Sequence, residues 1–256
     1  MFCFICQGFF QILSTRHGRL IQKILFVNFY VNFVVKEVDN QNKLCYNKKR
    51  ILKDGGNVPM TTTNGVQNAP ITSKPSGFSV LDLCLIAMFA ALLAICSWIS
   101  IPAPPPLPVF TMQTFGVFVT LELLGGKRGF FSILTFVLLG AVGVPVFAGF
   151  SGGVSVLFGS TGGYILGFIL TGALYWVLEA TLGNKFWVRL TALIGGLALC
   201  YAFGTIWFMV VYGRDNGAIG AGTALMWCVV PYLIPDCAKL ALALGISAAV
   251  KSRVKI

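Results

Sequence analysis

From Leu81 to Val250, the sequence is a series of six apolar runs separated by short breaks. Each run has about the twenty residues that a helix needs to cross a bilayer. A backbone in lipid must satisfy its own hydrogen bonds, and the runs lack the polar–apolar alternation of a barrel, so they predict helices. We therefore predict an all-α polytopic membrane protein with six transmembrane helices. The predicted spans are residues 81–101, 109–125, 129–147, 162–181, 187–212 and 228–250.

The composition is typical of a protein whose solvent is largely lipid. Only 11% of the residues are charged, whereas a soluble domain has about a quarter. A net charge of +11 is typical of proteins that bind nucleic acid, but ten of the nineteen Lys and Arg residues precede residue 78. Most of the others lie in the breaks, and no basic helix interleaved with aromatic residues remains. We therefore predict no nucleic-acid partner.

Positive charge is concentrated in alternate breaks. The second break contains Lys127 and Arg128, the fourth contains Lys185 and Arg189, and the C-terminal end is also basic. The first, third and fifth breaks are nearly neutral. Because short basic loops remain in the cytoplasm, this pattern predicts cytoplasmic N- and C-termini and three outward loops.

Two of the outward loops have unusual compositions. The first, IPAPPPLPV at residues 101–109, contains five prolines, which favour a stiff extended segment. The third, at residues 148–163, contains six glycines, which allow tight turns and leave backbone amides open to a ligand. Such loops are either flexible connectors or a binding surface, and their occurrence on one face favours binding.

The last predicted span contains an acid and a base, Asp236 and Lys239, in the segment PYLIPDCAKL at residues 231–240. At positions i and i+3 they share a helix face and can neutralise each other. A structural ion pair and a proton or ion relay are two interpretations. The third is a ligand site, because charges inside a membrane usually mark a ligand or ion path. A cyclic urea would complement the pair, since it presents two N–H donors and one carbonyl acceptor.

The N-terminal region differs from the rest of the chain. Residues 1–59 contain no alanine and are rich in Phe, Ile, Asn, Lys and Tyr. We interpret them as a non-native leader or disordered extension, with translation starting at Met60. Residues 60–77 are predicted to be a polar disordered tail, and residues 78–256 to be the transmembrane substrate-binding domain.

Two segments together resemble the BioY family, the biotin-specific substrate-binding (S) subunits of energy-coupling factor (ECF) transporters of the bacterial plasma membrane. They are PVFAGFSGGVSVLFGSTGGYILGF at 145–168 and PYLIPDCAKL at 231–240. The resemblance implies an ECF S-component-like bundle that captures biotin outside and delivers it inward. It also implies a set of substrate-binding residues, which are Asp236, Lys239, Ser151, Gly152, Gly153, Thr161 and Tyr164. The family often has glycine where Phe150 stands.

The resemblance further implies partners that supply energy, since the chain contains no ATP-binding motif. These are a transmembrane coupling subunit and two cytoplasmic ATPase subunits. Ala87 and Ala91 in the first span are the expected docking residues, because small side chains at i and i+4 allow close helix approach. Packing within the chain is the alternative explanation of this spacing.

Other functions remain open at the level of the residues. An S-component for thiamine or riboflavin would have the same architecture. An intramembrane enzyme would require a Ser–Lys dyad using Lys239, because the only histidine, His17, lies in the predicted leader. We predict a transporter subunit without a cofactor or metal, and not an enzyme.

Overall fold

The computed structural model describes residues 79–101 and 108–253. The predicted leader and tail, residues 1–59 and 60–77, lie outside the described residues, as does most of the proline-rich loop. The helices are α1 (Val80–Trp98), α2 (Gln113–Leu124), α3 (Gly126–Val142), α4 (Val154–Phe158), α5 (Gly162–Leu182), α6 (Phe186–Asn216), α7 (Ala221–Cys228) and α8 (Val230–Arg253). Two short strands, β1 (Ser100–Ile101) and β2 (Phe110–Thr111), and a 3₁₀ turn (Ala148–Phe150) complete the described elements.

Four of these helices, α1, α5, α6 and α8, are long and apolar enough to cross a membrane. The second predicted span, 109–125, is shorter than expected, because it begins as a strand and its helix has 12 residues. At 1.5 Å per residue, such a helix rises about 18 Å, well short of the ~30 Å hydrocarbon core. The third span has 17 helical residues. The count of six spans therefore stays a prediction.

Helix α2 begins where the two strands pair across the proline-rich loop. Ser100 pairs with Thr111, and Ile101 pairs with Phe110, in an antiparallel ladder. The amide of Met112 then donates to the carbonyl of Ile99 over 3.0 Å. These bonds place the first residue of α2 beside the end of α1.

The short helix α2 lies at the centre of the bundle. Nine of its twelve residues are buried, and it contacts α1, α3, α5 and α8. A helix that is apolar on all sides is stable only when other helices surround it. Its central position therefore explains why the sequence around 113–124 shows no polar face.

The most extensive helix contact joins α5 and α6. Glycines allow this close approach: a Cβ added at Gly163 would lie 2.3 Å from Trp207 Cβ, and one at Gly204 would lie 2.3 Å from the Tyr164 ring. Larger side chains at either position would separate the two helices. The packing of α6 against α5 therefore also sets the position of Tyr164.

A buried charge network joins four helices at the end of the bundle formed by the second break, the fourth break and the C-terminus. The Glu122 side chain, 1% exposed, accepts from Arg189 over 3.0 Å and from Lys251 over 3.5 Å. The hydroxyls of Tyr175 and Ser247 each donate to it over 3.4 Å. The sequence analysis did not predict this network. It brings together Arg189 of the fourth break and Lys251 of the C-terminal end, two basic segments that the charge pattern assigned to one side of the membrane.

Candidate functional site

A cavity of about 160 Å³ lies where the end of the first break and the third break meet helices α5, α6 and α8. Its wall is formed by the β2–α2 segment, the glycine-rich third loop, the start of α5, the middle of α6 and the start of α8. The apolar part of the wall contains Phe147, Ile165, Phe168 and Leu197. Two of the three loops predicted to share one face, the first and the third, therefore contribute to one site, whereas the fifth break, at residues 213–217, does not line it.

The charged pair of α8 lines this cavity. Asp236 and Lys239 are only 4% and 5% exposed, and Lys239 Nζ lies 2.8 Å from Asp236 Oδ1. The contact confirms the prediction that the two charges neutralise each other on one helix face. Tyr201, on α6, donates its hydroxyl to the other carboxylate oxygen of Asp236 over 2.5 Å. The pair thus connects α8 with α6.

Lys239 has two further contacts with the segment that precedes α2. Its ammonium group donates to the carbonyl of Thr111 over 2.7 Å. It also lies 4.0 Å from the centroid of the Phe110 ring, a cation–π contact. Burying a charge is costly unless it is paired and hydrogen-bonded, and these contacts meet that condition.

Three of the predicted residues outside α8 also line the cavity, namely Ser151, Thr161 and Tyr164. The Ser151 hydroxyl donates to the carbonyl of Ala148 over 2.7 Å. The Tyr164 hydroxyl lies 3.2 Å from the Thr205 hydroxyl, so a hydrogen bond fixes its direction. The structure therefore brings these three side chains to the same cavity as the charged pair.

Gly152 and Gly153 lie beside the cavity wall rather than in it. A Cβ added at Gly152 would lie 2.4 Å from the carbonyl oxygen of Val144. Gly153 has a φ of 101°, which favours glycine, and its amide donates to the carbonyl of Gly140 over 2.7 Å. These glycines hold the third loop against the end of α3 and so position Ser151.

Phe150 in the same loop adopts a left-handed backbone conformation, with a φ of 59°. Glycine adopts this conformation more readily than any other residue, so Phe150 is held in it by the surrounding loop. The Phe150 ring stacks on Trp98 with 4.9 Å between centroids. Trp98 also donates its indole N–H to the carbonyl of Pro145 over 2.9 Å. The end of α1 therefore supports the loop from outside the cavity.

Several lining residues were not predicted from the sequence. Tyr201 is the partner of Asp236, Gln113 begins α2, and Cys200 lies beside Tyr201 on α6. Tyr232 donates its hydroxyl to the carbonyl of Pro108, which joins α8 to the end of the first loop. In the sequence, these residues could be noticed only as hydroxyl or amide side chains inside apolar runs. That feature does not indicate which of the side chains face a common cavity.

The geometry gives no support to a Ser–Lys dyad. In residues 79–101 and 108–253, the hydrogen-bond acceptors recorded for Lys239 Nζ are Asp236 and the Thr111 carbonyl. Ser151, the serine in the cavity wall, donates to a backbone carbonyl instead. A serine nucleophile would need hydrogen-bond contact with the lysine that activates it.

Ala87 and Ala91 lie on the outer surface of α1, away from the cavity. Both are exposed, and Leu83, one turn before Ala87, is 55% exposed. The opposite face of α1 packs Phe89 and Leu93 into the core with 0% exposure. The two alanines are therefore not used for packing within the described chain, and they lie on a surface open to lipid or another helix.

Comparison with known proteins identifies the family. The model of the BioY family matches residues 67–256. The chain belongs to the BioY family. This BioY-family chain is 42% identical over 163 residues to a Thermotoga maritima protein named "Biotin transporter BioY", covering 63% of this chain and 90% of that protein. It is 38% identical over 167 residues to a Pyrococcus horikoshii "Probable biotin transporter BioY", covering 65% and 93%.

The same fold occurs in a solved structure, a crystal structure of the S-component for biotin from an ECF-type ABC transporter. The TM-score is 0.57, the identity is 24%, and the match covers 69% of this chain and 92% of that chain. This comparison confirms the predicted S-component-like helical bundle. Together with the four long apolar helices, the BioY assignment shows a multi-pass membrane protein.

Proposed function

We propose that this BioY-family chain is the biotin-binding subunit of an ECF transporter, and that it binds biotin in the cavity described above. The observation that carries the proposal is the buried Asp236–Lys239 pair in the cavity wall. The relatives named as biotin transporters supply the substrate class. An enzymatic function has no support from the family or from the geometry of Lys239.

The pair has unused hydrogen-bonding capacity that suits the ureido ring of biotin. An ionised carboxylate has about four acceptor positions and an ammonium group has three donors. Asp236 uses one position on each oxygen, and Lys239 donates to two acceptors. One carboxylate lone pair can therefore accept a ureido N–H, and the third ammonium donor can bind the ureido oxygen. In a cavity sheltered from water, these bonds are stronger than at a surface.

The other predicted residues would complete the site. Ser151, Thr161 and Tyr164 add polar groups to the cavity wall. Gly152 and Gly153 would act by holding the glycine-rich loop in its shape. Phe147, Ile165 and Phe168 supply apolar surface, which the bicyclic ring and the aliphatic chain of biotin can cover. Polar groups that fix orientation within an apolar wall are typical of small-molecule sites.

We propose that the cavity opens to the outside of the cell, in a domain spanning residues 78–256. The first and third breaks, which are nearly neutral, line the cavity, whereas Arg189 of the fourth break and Lys251 of the C-terminal end bind Glu122 in the buried network. Because basic segments face the cytoplasm, six crossings with cytoplasmic termini would place biotin capture outside. The substrate would then leave toward the network end.

Energy for release would come from partner subunits. We propose a transmembrane coupling subunit and two cytoplasmic ATPase subunits, in keeping with an ECF-type transporter. Ala87 and Ala91 on the exposed face of α1 would dock against the coupling subunit, since small side chains permit close contact between helices in lipid.

A direct test is equilibrium binding of radiolabelled biotin to the purified full chain, with thiamine and riboflavin as competitors. We expect excess unlabelled biotin to displace the label and the other two vitamins to leave it bound. Displacement by thiamine or riboflavin, or no saturable biotin binding by folded protein, would refute the substrate assignment.

A further inference from the structure

The first residue of α2, Gln113, has an unusual environment for a buried amide. It lines the cavity and is 4% exposed. Its carbonyl oxygen accepts a long hydrogen bond, 3.5 Å, from the hydroxyl of Ser97 on α1. Its amide nitrogen is buried and has no hydrogen-bond partner within the part of the chain that the structure describes. Native proteins rarely leave such a group unpaired, and each case requires an explanation.

Four polar residues of the cavity that were predicted from the sequence differ from Gln113 in this respect. Asp236 and Lys239 bind each other, Ser151 donates to a backbone carbonyl, and Tyr164 contacts Thr205. A ligand must compete with, or add to, these existing bonds. The Gln113 amide would gain a hydrogen bond to the ligand without giving up a bond within the protein. The full free energy of the new bond would therefore favour ligand binding.

We propose that Gln113 is a further substrate-binding residue, whose amide N–H donates to an oxygen acceptor of the ligand. This inference rests on the proposed function and deepens it by adding a requirement on the ligand. A buried site built to pair with a polar group discriminates strongly against ligands that lack it. Gln113 would therefore select for an oxygen acceptor in addition to the N–H donors that Asp236 can bind.

The position of Gln113 supports this role. The segment that leads into α2 already contacts the charged pair, because Thr111 accepts from Lys239 and the Phe110 ring covers its ammonium group. Gln113 follows two residues later at the start of a helix that is buried on nearly all sides. Its backbone is fixed by the bundle, so the amide is held in place before the ligand arrives.

Biotin offers two kinds of oxygen acceptor, the ureido carbonyl and the carboxylate. The experiment therefore measures biotin, 2-iminobiotin, in which N–H replaces the ureido oxygen, and an analogue in which methyl replaces the carboxylate. Each ligand is titrated against the full chain and against Gln113→Met, which keeps the length of the side chain and removes the amide. Binding is measured per folded protein, judged by elution from a sizing column.

We expect Gln113→Met to bind biotin about tenfold more weakly than the unaltered chain. One of the two analogues lacks the oxygen that Gln113 contacts. For that analogue, the unaltered chain and Gln113→Met should bind with about the same affinity. If Gln113→Met loses affinity only for ligands that have a carboxylate, Gln113 contacts the carboxylate. If it loses affinity only for ligands that have a ureido oxygen, Gln113 contacts the ureido oxygen. Gln113→Glu, which keeps the shape but replaces the donor by oxygen, should lose at least as much affinity.

Thr120→Val provides a matched control on the same helix. Thr120 is 0% exposed, its hydroxyl also has no partner among the described residues, and it does not line the cavity. We expect this variant to bind all three ligands as the unaltered chain does.

Two results would overturn the inference. In the first, Gln113→Met binds biotin as tightly as the unaltered chain. In the second, the variant weakens all three ligands by the same factor, as a purely structural change would. Failure of the unaltered, folded chain to bind biotin would instead overturn the proposed function, and the inference with it.

Discussion

The Asp236–Lys239 pair allows function to be separated from stability by mutation. Asp236→Asn keeps the side-chain size but leaves Lys239, 5% exposed, without its counterion. Removing one partner of a buried ion pair costs about 3–5 kcal/mol. Lys239 would keep its bond to the Thr111 carbonyl and its contact with the Phe110 ring. We therefore expect the lower end of that range, about 3 kcal/mol, together with loss of biotin binding.

Replacing both charges should have a different effect. In Asp236→Leu with Lys239→Met, neither charge remains buried, and such replacements are neutral or stabilising by about 1–4 kcal/mol. Tyr201 and the Thr111 carbonyl lose a partner, which costs about 1–3 kcal/mol for each group left buried and unpaired. The two effects oppose each other. We expect the double variant to be more stable than Asp236→Asn, and equally unable to bind biotin.

The assay is thermal unfolding in detergent at one fixed heating rate, because unfolding of such a protein is governed by kinetics. Binding of radiolabelled biotin is measured on the same samples. Asp82→Asn is the matched control, since Asp82, whose side chain is 17% exposed, pairs over 2.8 Å with Arg128, whose side chain is 48% exposed. Because water reaches the cation of this pair, we expect the pair to contribute about 1 kcal/mol or less. A double variant less stable than Asp236→Asn, or an Asp236→Asn variant with unaltered biotin affinity, would refute the reasoning.

Three other predictions concern regions outside the cavity. Glu122→Gln should lower the free energy of unfolding by about 3 kcal/mol, because Arg189 and Lys251 lose their counterion. Biotin binding per folded protein should persist, and loss of binding would contradict a purely structural role for Glu122. Changing Ala87 and Ala91 to Leu should abolish co-purification with the coupling subunit but not biotin binding. Ala241→Leu, on the exposed face of α8, is the control, and retained co-purification would contradict docking. Mass spectrometry of the native protein should detect no peptide upstream of Met60, and any such peptide disproves the predicted start.

Much of the architecture was predictable because it depends on local patterns. The runs at 162–181 and 187–212 correspond closely to α5 and α6, since length and hydropathy determine which segments can span lipid. The Asp236–Lys239 contact was also predictable, because residues three apart on a helix lie on the same face.

Other features were missed because they depend on contacts between distant segments. The predicted span at 109–125 begins with a strand, since Phe110 and Thr111 pair with residues before the proline-rich loop. Glu122, 67 residues from its partner Arg189, looked like a single charge at the end of an apolar run. Hydropathy alone does not report which helix will lie beside another.

The sequence by itself determined that this chain is a helical membrane protein, which segments are apolar, and that an acid and a base share one helix face. Those properties follow from composition and from the 3.6-residue period of the helix. The tertiary structure alone decided that Tyr201 and Thr111 hold the pair and that Gln113 faces the same cavity. The reason is physical: side-chain partners across helices are chosen by packing in three dimensions, where residues far apart in sequence become neighbours.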